Sequence, residues 1–208
     1  MKGNQVLEEI SMKWTEKEKA QRGLLYDNNN DEQLIRERTY AKEMCYDYNQ
    51  IRPSNLKDRE ILIQKLFAKT GEKFLIEQPF YCDQGYNIEI GDHFYCNHNT
   101  VMLDAGKISF GDYVFIGPNC GFYTPEHPLD AEQRNQGLEV ALPISVGNNV
   151  WIGGGVSVLP GVTIGDNTVI GAGSVVTKSI PAGVVAAGNP CRVIREITEE
   201  DQHKYPRV

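Results

Sequence analysis

The sequence predicts a mainly β chain: a parallel β-solenoid of six-residue repeats, preceded by a helical segment and interrupted by one excursion loop around 121–145. Three observations predict it. Val146, Ile152, Val158, Ile164, Ile170 and Val176 recur at six-residue steps without a miss. Gly147, Gly153, Gly165 and Gly171 each follow one of these aliphatics, and Val150, Val156, Val162, Thr168 and Ser174 sit four residues after them. The first 75 residues lack this beat and carry their apolar residues at helical spacing instead. A helix needs a period of 3.6 and an ordinary strand a period of 2, whereas a sustained six stacks short strands and turns into coils with the aliphatics inward.

Taken in order, Met12 offers an alternative start, which makes 1–11 a weakly ordered extension. TEKEKAQRGLLYD (15–27) is rich in helix formers. After the NNND break, 31–50 places Leu34, Ile35, Ala41, Met44, Cys45 and Tyr48 on one helical stripe. Pro53 ends that helix; Ser54 or Asn55 caps a third, which carries Leu62, Ile63, Leu66 and Phe67 and stops near Gly71. Three short helices bury little by themselves, so they are expected to pack on the rest of the chain. This divides the chain into a helical segment (1–75), the solenoid (76–187) and a closing segment (188–208).

Within the solenoid, the beat runs upstream through Ile90-Gly91, Cys96, Met102, Phe110-Gly111, Ile116-Gly117 and Phe122, with two extra residues near 104–107 shifting its phase. Glycine after the aliphatic suits either a left-handed turn or a close approach between coils. At GFYTPEHPLDAEQRNQGLEVALPIS (121–145) the period stops, and His127 stands between Pro125 and Pro128, whose rings restrict the backbone around it.

Composition narrows the class. With 208 residues, 40% hydrophobic, 24% charged and a net charge of −7, the chain reads as folded and without the basic surface that nucleic acid requires. Five cysteines without a CxxC pair fit free thiols in a reducing compartment. No apolar run approaches a membrane span, and the N-terminus lacks the apolar core of a signal peptide, so a cytoplasmic location without membrane contact is expected. His93, His98, His127 and His203 form no convincing three-ligand set, so no metal is expected.

The aliphatic-Gly pattern, together with FYCDQGYNIEIGDHFYCNHNTVMLD (80–104), TPEHPLDAEQRNQG (124–137), PISVGNNVWIGGGV (143–156), PGVTIGDNTVIGAGSVVTK (160–178) and AAGNPCRVIREI (186–197), resembles the hexapeptide-repeat acyltransferases. Within them it is most similar to the maltose/galactoside and nodulation O-acetyltransferases, over nearly the whole chain from Thr15 to Ile197. The resemblance implies a left-handed parallel β-helix, acetyl-CoA as donor, a sugar hydroxyl as acceptor, and a homotrimer with active sites at subunit interfaces.

A sugar hydroxyl titrates far above neutrality, so a base must take its proton as it attacks a thioester, and histidine suits that role. His127 matches the family's catalytic histidine at T-x-x-H-P; Glu126, Glu139 or a backbone carbonyl can orient its ring. Asn97 matches the active-site asparagine and Tyr95 a position lining the sugar site. Asp27 and Asp83 match positions that hydrogen-bond the sugar; Asp83 follows the maltose branch, while Ala105 replaces an aspartate of the galactoside branch and Asp104 precedes it. On the donor side the resemblance assigns Gly154 a backbone N–H toward the thioester, and Ala172, Thr177, Lys178, Arg192 and Arg195 contacts to coenzyme A. Trp151 packs either on the pantetheine arm or on a neighbouring coil. An amino-sugar or other non-sugar acceptor, or a solenoid scaffold without catalysis, are the alternative readings.

Overall fold

The computed structural model describes residues 14–205; the expected extension at 1–11 lies outside them. Three short helices come first, then a parallel β-helix whose coils contribute one short strand to each of three sheets. The first coil supplies β2 (Phe74–Ile76) and β3 (Phe80–Cys82), the second β4 (Ile88–Glu89), β5 (Phe94–Cys96) and β6 (Thr100–Leu103), and the third β7 (Ile108–Phe110), β8 (Phe115–Ile116) and β9 (Gly121–Tyr123). The chain then leaves the helix through β10 (Pro125–Glu126), α4 (Ala131–Asn135) and β11 (Leu138–Ala141). It returns as β12 (Ile144–Val146), β13 (Trp151–Ile152) and β14 (Ser157–Val158), followed by β15 (Thr163–Ile164), β16 (Val169–Ile170) and β17 (Val175–Val176). The last coil carries β18 (Val184–Ala187), against which β19 (Arg192–Glu196) folds back antiparallel.

Register explains the phase of the repeat. Tyr95 pairs with Phe115 and Trp151 with Val169, so a coil takes 20 residues before the excursion and 18 after it. Phe115 pairs with Trp151 across the excursion, a step of 36, so the solenoid resumes in register with 18 residues set aside. Val146, Ile152, Val158, Ile164, Ile170 and Val176 all point inward and are buried, as are Val150, Val156, Val162, Thr168 and Ser174 between them.

The two explanations for the glycines separate here. Gly153 has no left-handed φ, but a Cβ built on it would lie 2.6 Å from the backbone nitrogen of Ala172 in the next coil. Close approach of stacked coils demands glycine there. The left-handed corner positions fall elsewhere, at Asn119, Asn149, Gly155, Asn167 and Gly173 among others.

The N-terminal segment departs from expectation in its first element. α1 (Glu16–Gln21) starts with a capping box between Thr15 and Glu18 but ends early, because Gly23 adopts φ +66°. Tyr26–Asp27 is then a strand, β1, although 15–27 as a whole reads as helix; it pairs with β11. α2 (Glu32–Gln50) is capped by Asp31 and buries Leu34, Ala41, Cys45 and Tyr48, while Ile35 stays largely exposed. Asn55, not Ser54, caps α3 (Leu56–Leu66), which ends before Gly71. The helices do pack on the solenoid. Asn49 exchanges hydrogen bonds of 2.9 and 3.0 Å with the backbone of Phe80, and Arg59 holds Glu77 at 2.8 Å. All five cysteines are free and buried, and no helix among the described residues is long and apolar enough to cross a membrane.

Candidate active site

The excursion is a folded element. β10 and β11 pair antiparallel, Asp130 caps α4 at the tip, and β1 adds to the other edge of β11 with Tyr26 opposite Glu139. The N-terminal segment therefore clamps the excursion onto the solenoid. His127 follows β10 directly and is half exposed.

One histidine ring nitrogen is committed and the other is free. Nδ1 lies 3.0 Å from the carbonyl oxygen of Leu138. A carbonyl only accepts, so Nδ1 carries a proton, and in the neutral ring Nε2 presents its lone pair. The carbonyl is thus the orienting group, of the three that the sequence leaves open. Glu139 acts differently. Its Oε1 stands 3.9 Å from Nε2, too far for a hydrogen bond but close for an imidazolium. Its Oε2 accepts from the Tyr26 hydroxyl at 2.8 Å and from the Asn28 amide at 3.0 Å. Arg38 holds Asn28 in turn, donating to its backbone oxygen at 2.7 Å and to its side-chain oxygen. Burial, reinforced by the neighbouring Glu139, pushes the Tyr26 hydroxyl far above its usual range, so it stays a donor.

Asp83 belongs to this cluster. Burial raises its pKa; the Arg38 and Lys42 charges oppose that shift, and Glu139 adds to it. Among the described residues its carboxylate accepts no hydrogen bond, which leaves both oxygens for a ligand. Asp27 is placed differently. Its carboxylate accepts from the Asn29 and Asn30 backbone amides at 3.1 and 3.0 Å and from the Asn30 side chain. Burial acts to raise its pKa, but the hydrogen bonds from Asn30 and Asn29 outweigh it and hold the carboxyl low. This group is occupied in closing its own turn. Asp104 is wholly buried, takes the backbone amides of Asp83 and Gln84 at 3.0 and 2.8 Å, and is pushed up to about 6 by burial. It holds the turn that presents Asp83.

A second group of expected residues lines the outer face of the seven-stranded sheet. Tyr95, Asn97, Phe115, Gly117 and Trp151 border a groove of about 420 Å³. Trp151 projects outward and is exposed, in register with Phe115 of the preceding coil. Asn97 accepts at its side-chain oxygen from the His98 amide at 2.8 Å, and its Nδ2 has no partner among the described residues. The Gly154 N–H also has no partner among the described residues, while its carbonyl takes the Gly173 amide at 2.9 Å. Gly154 stacks under Gly117, where a Cβ would lie 2.5 Å from its nitrogen. Ala172, Thr177 and Lys178 are exposed further along. Among the described residues the Arg192 guanidinium donates only to the carbonyl of Cys191, at 2.8 Å. Arg195 is not free: Asp201 fills its guanidinium fork with two bonds of 2.7 Å.

Within one chain these are two separate half-sites. The excursion carries His127 and Glu139 beside Asp83 of the solenoid, the groove carries Asn97 with Tyr95 and Gly154, and among the described residues no hydrogen bond joins the two groups. Two of the three remaining histidines do other work: His93 stacks on Tyr113 at 4.5 Å, and His98 Nδ1 lies 2.6 Å from the Gln78 carbonyl oxygen. Among the described residues no group of three or more His, Cys, Asp or Glu can hold a metal. Sequence reasoning missed Tyr26, Asn28 and Arg38. A two-residue strand leaves no periodic trace, and the asparagines of NNND read simply as a break.

Comparison with known proteins places this architecture. Residues 19–71 match the maltose acetyltransferase hexapeptide capping motif, and 143–178 match the bacterial transferase hexapeptide. A Saccharomyces cerevisiae protein provisionally assigned as an acetyltransferase is 55% identical over 86% of this chain and 91% of its own length. A galactoside acetyltransferase solved with coenzyme A superposes with a TM-score of 0.89 at 45% identity, covering 93% of this chain and 96% of the other. A maltose O-acetyltransferase from Clostridium difficile gives 0.88 at 49% identity, covering 89% and 99%. A Vibrio cholerae hexapeptide-repeat acetyltransferase solved with acetyl coenzyme A gives 0.82 at 36%, covering 89% and 100%. With this coiled core, this cap and these relatives, the chain belongs to the hexapeptide-repeat acetyltransferases that carry the maltose-acetyltransferase capping motif.

Proposed function

We propose that the protein transfers the acetyl group of acetyl-CoA to a hydroxyl of a sugar, with His127 as general base. The observation that carries this reading is the half-exposed His127 ring, held through Nδ1 by the Leu138 carbonyl so that Nε2 is left beside Glu139. The sugar hydroxyl gives its proton to Nε2 as its oxygen attacks the thioester carbonyl. The oxyanion that forms draws on the unused Gly154 N–H and the Asn97 amide. Collapse expels the coenzyme A thiolate, which takes the proton back from the imidazolium. Glu139 stabilises that cation, and Asp83 accepts from neighbouring sugar hydroxyls.

The separation of the half-sites supports assembly as a homotrimer, in which the groove of one copy meets the excursion of the next. In that reading the cap (1–75) sets the excursion and the acceptor, the solenoid (76–187) supplies the donor groove, and the closing segment (188–208) offers Arg192 to the phosphates. Arg195 reaches them only by leaving Asp201. The buried free thiols suit a reducing compartment, consistent with a cytoplasmic setting.

The test is coenzyme A release across glucose, maltose, thiogalactosides and glucosamine. His127→Ala is expected to lower turnover by roughly 10²–10⁴-fold without unfolding the protein. Near-normal turnover in the folded variant removes His127 from the mechanism. Turnover confined to glucosamine, with N-acetyl product, replaces the O-acetyl reading by an amino-sugar one.

A further inference from the structure

Beside the His127 cluster lies a second concavity, which shares Asp83 with the proposed acceptor site. A cleft of about 460 Å³ opens between the outer face of α2 and β3, with Tyr46, Tyr81, Lys42, Gln50, Leu103 and Asp83 in its walls. Asp83 is shared between the cleft and the acceptor cluster, since its carboxyl feels Arg38 and Glu139 from one and Lys42 from the other. The register makes the connection continuous. Cys82 pairs with Met102 and Leu103 with Tyr123, so Asp83, Leu103 and Tyr123 form one outward row across three coils. Tyr123 ends that row two residues before β10 and the excursion.

The lining has the chemistry of a carbohydrate site. Tyr46 and Tyr81 are 66% and 50% exposed, offering ring faces to the C–H face of a pyranose. Among the described residues the Lys42 ammonium, the Gln50 amide and the Asp83 carboxylate make no side-chain hydrogen bond, so donors and acceptors for paired hydroxyls stand beside those rings. We infer that this cleft is a second sugar subsite: it takes the ring next to the acetylated one, so the acceptor is a disaccharide or longer glycan. This rests on the sugar-acceptor reading above and extends it.

The experiment compares kcat/KM for glucose, maltose and maltotriose in wild type, Tyr46→Ala and Tyr81→Ala. Both side chains are well exposed, and circular dichroism checks the fold. Wild type is expected to favour maltose over glucose, and each variant to lose roughly 3–10-fold on maltose while glucose changes less than about two-fold. A wild-type ratio near one, or a ratio unmoved by both substitutions, overturns the subsite and leaves the acetyltransferase intact. Equal losses on glucose and maltose also overturn it, since the tyrosines then act on the reacting ring. No turnover with any sugar defeats the sugar-acceptor reading itself, and the subsite with it.

Discussion

Glu139 faces His127 with one oxygen and is pinned by the cap through the other, so two substitutions at this position separate charge from anchoring. At 3.9 Å a unit charge pair is worth about 1 kcal/mol in water and about 4 kcal/mol at an effective dielectric near 20. The half-exposed imidazole puts the working value toward the lower bound, about 1–2 kcal/mol, after solvent screening. Glu139→Gln is therefore expected to lower kcat by about 5–30-fold. Because it keeps an acceptor oxygen and the side chain's shape, its stability loss should stay within about 1.5 kcal/mol. Glu139→Ala instead leaves the Tyr26 hydroxyl and the Asn28 amide, both buried, without an acceptor. At about 1–3 kcal/mol per orphaned donor, it should destabilise by about 2–6 kcal/mol. Coenzyme A release gives kcat and urea unfolding gives the stabilities. A folded Glu139→Gln enzyme with wild-type kcat refutes the electrostatic role; equal stability of the two variants refutes the anchoring role.

Three further outcomes follow from the geometry. Gly153→Ala places a Cβ 2.6 Å from the Ala172 nitrogen and should cost about 3 kcal/mol. Gly173→Ala, at φ +72° in open space, should cost about 1 kcal/mol; thermal unfolding that reverses this order would show that turn conformation, not coil spacing, selects the glycines. The Asp104 carboxyl is raised to about 6 in the folded state from 3.8, so its contribution to stability is full below pH 3.8 and is lost as pH rises through 6. Asp104→Asn should flatten that loss between pH 4 and 6; unfolding curves whose pH dependence matches wild type across this window would contradict it. Arg192→Ala should raise the KM for acetyl-CoA by roughly 10-fold with the sugar KM unchanged, and a change confined to the sugar KM would remove Arg192 from the donor side.

Much of this was legible in the chain, and the reason is the period. Six residues per side forces Val146 through Val176 inward without reference to anything distant, so the solenoid and its core follow from local spacing. The excursion was legible for the same reason, as the place where the spacing fails, and His127 stood out because two prolines bracket it. The N-terminal segment was less legible. Its helices follow from stripe and caps, but β1 exists only because β11 offers it a partner more than a hundred residues away. Asp27 and Asp83 look equivalent as sequence, yet one closes its own turn and the other's carboxylate accepts no hydrogen bond among the described residues. Likewise Arg192 and Arg195 read as a pair until Asp201 occupies one of them.

The sequence alone therefore determined the coil, its inward rows, the family resemblance and the identity of the candidate base, because each rests on neighbours within a few residues. The tertiary structure decided which nitrogen of His127 is bonded, what holds Glu139 against it, which carboxylate remains available, and that Asn97 lies on the groove while His127 lies on the excursion. The partners of Glu139 come from more than a hundred residues away, those of His127 and Asp27 from the same loop or turn, and in neither case does spacing along the chain encode which donor reaches which acceptor after folding.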